Sequence, residues 1–224
     1  MSPLPSYPRA NWNLRHAGSG RGGGPLAIPG EYTVDIAKIV DGEMTELVQA
    51  TEFEIEPLTF GDTSERDREA IMEFDREAQR LAIAVRSATS VANETKEQIE
   101  AVRKVIRESS ELDPALENEV RELEVRLMDI NERFNGDPTK SRRNEPSAPG
   151  LNSRLRNMMF GAMGSTEGPT GTHRRQYEIA GEQYEAIVGD LRTLVEDDMA
   201  ALHEKLDKAG APWTRGRKIP EWKK

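Results

Sequence analysis

The chain of 224 residues contains no cysteine. That excludes a disulfide framework, a thiolate metal centre and a cysteine nucleophile, and leaves the redox compartment open. Aromatic residues are scarce at 5%, and hydrophobic residues reach only 36% against 32% charged. Such a balance suits elongated helices, which have much surface and a thin core. No run of 18 apolar residues occurs, so no stretch predicts a membrane-spanning helix. Residues 1–8 lack the apolar centre of a signal peptide, the expectation for an intracellular protein or for the downstream part of a longer one. Lys and Arg total 31 against 40 Asp and Glu. The net charge of -9 speaks against a nucleic-acid partner, because neutralising phosphates needs clustered cations.

Signatures of catalysis are missing as well. His16, His173 and His203 stand in separate segments, none in Glu-x-x-His or His-Glu-x-x-His spacing, so neither a zinc nor a di-iron site is expected. Glu196, Asp197 and Asp198 are consecutive, and consecutive positions diverge around a helix, which reads as a solvated face. No Gly-x-Ser-x-Gly elbow exists; Gly18-Ser19-Gly20 and Gly164-Ser165 do not fit the spacing. Among the 40 carboxylates no pair stands out for glycoside hydrolysis. The glycine run at residues 18–24 is followed by Pro25 and more loop, where a phosphate cradle needs a helix N-terminus, so it reads as a flexible hairpin-like loop. No catalytic, cofactor-binding or metal-ligating residue is expected, and no cofactor.

What the chain does have is helical periodicity. From Ile71, apolar or small residues recur at Phe74, Ala78, Leu81, Val85, Ala88, Ala92, Thr95, Ile99, Val102 and Ile106, in steps of three and four. That spacing puts them on one stripe of a helix spanning about 63–111, with Asp62, Thr63 and Ser64 as possible N-caps. A helix of that length cannot bury its stripe against itself and needs partner helices. Asp113-Pro114 starts a second helix, about 114–135, with the stripe Leu116, Val120, Leu123, Leu127, Ile130 and Phe134. Asn135-Gly136-Asp137-Pro138 stops it, and the short connection predicts an antiparallel hairpin. Residues 137–150, with Lys140, Arg142 and Arg143, read as a polar linker or exposed loop, and a basic binding loop is the lesser alternative. A short helix at 151–163 carries Leu155, Met158, Met159 and Phe160. The last helix, 172–209, presents Tyr177, Ala180, Tyr184, Ile187, Leu191, Leu194, Met199, Leu202 and Leu206 before Gly210 and Pro212 end it.

Ahead of the helices the period changes to two. Tyr32, Val34 and Ile36 alternate with Thr33, Asp35 and Ala37; Asp41-Gly42 signals a turn; Thr51, Phe53 and Ile55 alternate with Glu52, Glu54 and Glu56 until Pro57. Two or three antiparallel strands with one apolar and one acidic face are expected, together with a short strand at residues 12–15. The predicted organisation is mainly α with a small β part. A partial immunoglobulin-like segment (1–58) precedes an antiparallel bundle of three to four helices (62–210) and a basic tail (211–224) with Arg215, Arg217, Lys218, Lys223 and Lys224. The tail is expected to fray or lie over the bundle, with docking on an acidic partner as the alternative.

Trp12-Asn13-Leu14-Arg15, a glycine-rich loop, the run Pro25-Leu26-Ala27-Ile28-Pro29-Gly30-Glu31-Tyr32-Thr33-Val34 and then Asp41-Gly42 stand in a familiar order. Leu151-Asn152-Ser153-Arg154-Leu155 and Pro169-Thr170 follow in the helical part. Together these phrases resemble the C-terminal region that follows the β-propeller in bacterial sortilin-like, BNR-repeat proteins described as glycosyl hydrolases. The resemblance covers nearly all of the chain, but the propeller, which would hold any sugar site, has no counterpart in it. It implies a non-catalytic accessory region of an exported protein, whose signal precedes the propeller and whose partner is that propeller domain or another protein. Two other readings stand beside it: a free-standing helical scaffold dimerising through its heptads, and, as a minor one, an enzyme with a site between sheet and bundle. Under the bundle reading, Leu81→Asp is expected to unfold the helices by burying an unpaired charge.

Overall fold

The computed structural model describes residues 11–16, 24–56, 65–109, 112–163 and 168–219. The protein is mainly α with a small β part. Strands β1 (Gly30–Val40) and β2 (Glu43–Ile55) are followed by helices α1 (Glu65–Glu108), α2 (Ala115–Asn135), α3 (Pro138–Arg142), α4 (Leu151–Met163) and α5 (Gly171–Arg192). A π-helical turn, Thr193–Asp198, then leads into α6 (Met199–Lys208). The chain divides into two compact units, Met1–Gln79 with Met163–Pro169 and Arg80–Ala162 with Thr170–Lys224, and the division falls within α1.

In the first unit β1 and β2 form a two-stranded antiparallel ribbon, closed by Asp41 and Gly42, both at positive φ. Two adjacent φ values of that sign are what a tight hairpin turn demands, and Asp-Gly supplies them at low steric cost. Pairing runs from Gly30 opposite Ile55 to Val40 opposite Glu43, with two irregularities. Between Val34 and Ile36 the partners step from Thr51 to Val48, and between Ile36 and Ala37 from Val48 to Glu46. Each step puts one extra residue into β2, so the bulges lie on β2 and β1 alternates without interruption. The strand expected at residues 12–15 is reduced to a single bridge, Arg15 with Leu26. Leu14 takes a φ of 57°, which breaks the extended run. The N-caps expected at Asp62, Thr63 and Ser64, the glycine run 18–24 except Gly24, and Trp222 lie outside the described residues.

In the second unit the stripe of α1 is core: Val85, Ala88, Ala92, Thr95, Ile99, Val102 and Ile106 are all buried. Leu81, expected in the core, is only half-buried. All six stripe residues of α2 are buried too. Salt bridges fix the directions. Arg103 of α1 meets Glu124 of α2 at 2.8 Å and Arg107 meets Glu117 at 3.1 Å, so one number rises as the other falls and the helices are antiparallel. Likewise Glu119, Arg126 and Arg133 of α2 meet Lys205, Asp198 and Asp190 in that order. The last helical run is therefore antiparallel to α2. Asn152 at the start of α4 donates to Thr89 of α1, and Arg154 reaches Gln176 and Gln183 of α5.

The last helical run is less regular than a single α-helix. Its apolar stripe advances by five from Leu194 to Met199, which at 100° per residue would carry Met199 off the buried face. The π turn absorbs the extra residue: the Met199 N–H donates to Leu194 O, and both side chains stay buried. At the other end, Gly210 N–H donates to Asp207 O and Ala211 N–H to Leu206 O, the double bond of a Schellman stop with Gly210 at a φ of 66°. Residues 137–150 are not all loop. Asp137 accepts from the N–H groups of Thr139 and Lys140, Pro138 takes the first helical position, and one turn of helix forms as α3.

Candidate functional site

Three places in the fold gather side chains with chemical potential. The first is the foot of the ribbon. Trp12, Tyr32 and Phe53 form an aromatic triangle with ring centroids 5.8, 6.1 and 6.0 Å apart. Phe53 sits opposite Tyr32 in the register, which places both rings on one face. Trp12 Nε1 donates to Arg15 O at 2.7 Å and Tyr32 Oη to Ile28 O at 2.7 Å, so each polar tip is satisfied while the rings lean on one another, Trp12 keeping an exposed side. Ala27 N–H donates to Leu14 O and His16 N–H to Pro25 O, and these bonds hold the preceding segment against residues 24–27. Asp75 of α1 is buried in the same unit, and its Oδ1 has no hydrogen-bond partner among the described residues. Burial pushes its carboxyl above the ordinary value, and the charge of Arg15 offsets part of that.

Beyond the triangle the ribbon leaves its apolar residues in solvent. Tyr32, Val34, Ile36, Lys38 and Val40 share one face of β1, and Ile36 faces Val48 across the ladder. Val34 and Ile36 are 50% and 53% exposed. The opposite face carries Glu31, Thr33 and Asp35 with Glu52 and Glu54 across from them, turning apolar only near the tip at Ile39 and Met44. One apolar and one acidic face therefore coexist over the foot of the ribbon, with the apolar one uncovered.

The second place is a cleft of about 340 Å³ between the end of α2, residues 147–150 and α5, lined in part by Asp129, Arg133, Asp137, Lys140 and Gln183. Both of its cations are engaged by carboxylates: Arg133 lies 2.5 Å from Asp190 and 3.8 Å from Asp129, and Lys140 lies 3.6 Å from Asp137. Of the basic stretch Lys140, Arg142 and Arg143, two cations face carboxylates: Lys140 that of Asp137, and Arg143 that of Glu145 at 3.8 Å. Backbone N–H groups of Lys140 and Thr139 hold the Asp137 carboxyl below its usual range.

The third place is the C-terminal tail, which is laid over the bundle as far as Ile219. Arg215 bonds Glu97 of α1 at 2.6 Å. Arg217 is buried, with Asp207 and the carbonyls of Ala211 and Pro212 around its guanidinium. Trp213 Nε1 donates to Arg217 O at 3.2 Å. His203 lies beneath this clasp, and burial lowers its pKa, with Arg217 adding to the effect and Asp207 opposing it.

The other histidines lie apart. His173 caps α5 through its Nδ1, which accepts from Thr170 N–H at 3.2 Å, while its own N–H donates to Thr170 Oγ1. His16 belongs to the segment before the ribbon. Glu196 pairs with Arg192 and Asp198 with Arg126, so two of the three consecutive acids serve different neighbours, as their divergence around the helix requires. Among the described residues no three carboxylates or imidazoles converge as a metal set. No described helix is long and apolar enough to cross a membrane. Sequence reasoning missed the Arg217–Asp207 clasp, which depends on a side chain folding back across the Gly210 turn, and it missed the cleft. No family model, curated protein or solved structure matches this chain.

Proposed function

We propose that this chain is a non-catalytic accessory region, similar to the part that follows the propeller in exported sortilin-like BNR-repeat proteins, serving structure and protein docking. The observation that carries it is the foot of the ribbon. Trp12 from the first resembling phrase packs on Tyr32 from the second, so the two phrases meet in one structural unit. The uncovered apolar face beside them is the surface that a neighbouring domain would complete. In this reading the helical bundle is a rigid support, and the glycoside chemistry of the parent protein belongs to its propeller.

The alternative of a heptad-driven dimer is less favoured, since Val85 through Ile106 on the α1 stripe are buried within the chain. The nucleotide sequence upstream of the Met1 codon and in adjacent genes tests the proposal. β-Propeller blades encoded there support it. Their absence overturns it, as does glycosidase turnover by the purified chain that one carboxylate substitution abolishes.

A further inference from the structure

The ribbon offers a docking edge of its own, whatever domain supplies the partner. We propose that the outer edge of β1 accepts an extended strand from another protein, one in which apolar residues alternate with lysine or arginine.

Four observations lead there. A two-stranded ribbon is marginal in water without a third strand or a covering layer. Here the sheet holds two strands among the described residues, and Val34, Ile36, Val40 and Val48 are each about half exposed, at 50%, 53%, 48% and 47%. Both bulges fall on β2, where they twist its edge and interrupt its spacing. β1 alternates regularly over 11 residues, and on its outer side no strand pairs with it among the described residues.

Charge selects the occupant. Between Gly30 and Ile55 there are seven carboxylates and one lysine. A second copy would set two such ribbons against each other, and like charges on facing strands repel. An added strand with apolar and basic residues in alternation would satisfy both faces together. Its apolar side chains would extend the Val34 and Ile36 face, and its cations would lie beside Glu31 and Asp35 on the other. The backbone bonds of such strand addition supply affinity, and the alternating side chains supply selectivity.

The test uses the full chain and three octapeptides of blocked ends, (Lys-Val)4, (Glu-Val)4 and a (Lys-Val)4 with every peptide nitrogen methylated, with binding read by calorimetry and amide shifts. Binding of (Lys-Val)4 alone, with the amide shifts confined to the ribbon and centred on β1, is the expected result. Asp35→Lys should weaken it roughly fivefold, the scale of one reversed cross-strand charge pair. Ile36→Thr keeps strand propensity and should weaken it while circular dichroism stays unchanged. Equal binding of the methylated peptide would overturn strand addition, since methylation removes the backbone donors. Equal binding of (Glu-Val)4, no binding of (Lys-Val)4, or dimerisation through the ribbon would each overturn the proposed occupant.

Discussion

The guanidinium of Arg217 closes on the carboxylate of Asp207, with Nε at 2.9 Å and Nη2 at 2.5 Å from Oδ1, and the arginine side chain is 4% exposed. A buried cation with a half-exposed partner holds its place only while its hydrogen bonds are complete. Arg217→Ala should therefore detach the tail and lower stability by about 2 kcal/mol, the scale of charge-assisted hydrogen bonds lost from a buried site. In a domain of this size that corresponds to a fall of roughly 4–8 °C in melting temperature. Calorimetry of the variant beside wild type checks it, with Arg175→Ala, an exposed surface pair, as the near-neutral control.

His203 gives that clasp a pH dependence. Its folded-state pKa lies below the ordinary 6.5, through burial first and Arg217 second, and its Nε2 meets no hydrogen-bond partner among the described residues. Above pH 6.5 the imidazole is neutral in both states and the fold carries no penalty. As pH falls below 6.5, the unfolded chain binds a proton that the folded chain resists, so stability drops until the folded-state pKa is passed. Melting curves between pH 7.5 and 5 should show this slope, and His203→Gln should flatten it.

Asp75 acts in the opposite sense. Its pKa is raised from 3.8 by burial, so between that value and the folded pKa the native state keeps a proton the unfolded chain has released. Its contribution to stability is complete below pH 3.8 and is lost as pH rises through the folded pKa. Asp75→Asn should melt above wild type at pH 7, and the difference should close as the pH approaches 4. A variant no more stable than wild type at pH 7 would show that Arg15 compensates the buried charge in full.

Backbone packing at Gly150 gives a steric test. A Cβ there would lie 2.3 Å from Gly136 N, 2.5 Å from Asn135 C and 2.8 Å from Phe134 O, all main-chain atoms that cannot swing aside. Gly150→Ala should cost about 3 kcal/mol, at the upper end of overpacking effects. Gly189→Ala, in α5 with open space around the added methyl, should instead stabilise by about 1 kcal/mol through helix propensity. Chemical denaturation of the two variants reads both signs.

Elements governed by a repeating local signal were legible in the sequence. The stripes of α1 and α2, the bounds of α4 and the stop at Gly210 all follow from period, cap and breaker residues. What escaped depended on one residue playing two parts or on contacts distant in sequence. Asp137-Pro138 reads as the end of α2, yet the same pair starts α3. The five-residue step from Leu194 to Met199 was a visible sign of the π turn, hidden because a stripe is usually scanned for threes and fours. Phe160 shares a short helix with Leu155 and Met158, but α4 turns it outward to 77% exposure. Leu81 keeps the heptad period and is still only half-buried, so Ile99→Asp is a sharper probe of the core than Leu81→Asp.

The claim on which the rest depends is that the α1 stripe is the spine of a bundle within one chain. Sedimentation equilibrium of the purified protein over a wide concentration range tests it most directly. The stripe buried from Val85 to Ile106 predicts a single species of 25.1 kDa that does not change with concentration. A species of twice that mass that Ile99→Asp converts to folded monomer would contradict it, because the stripe would then be the seam between two chains.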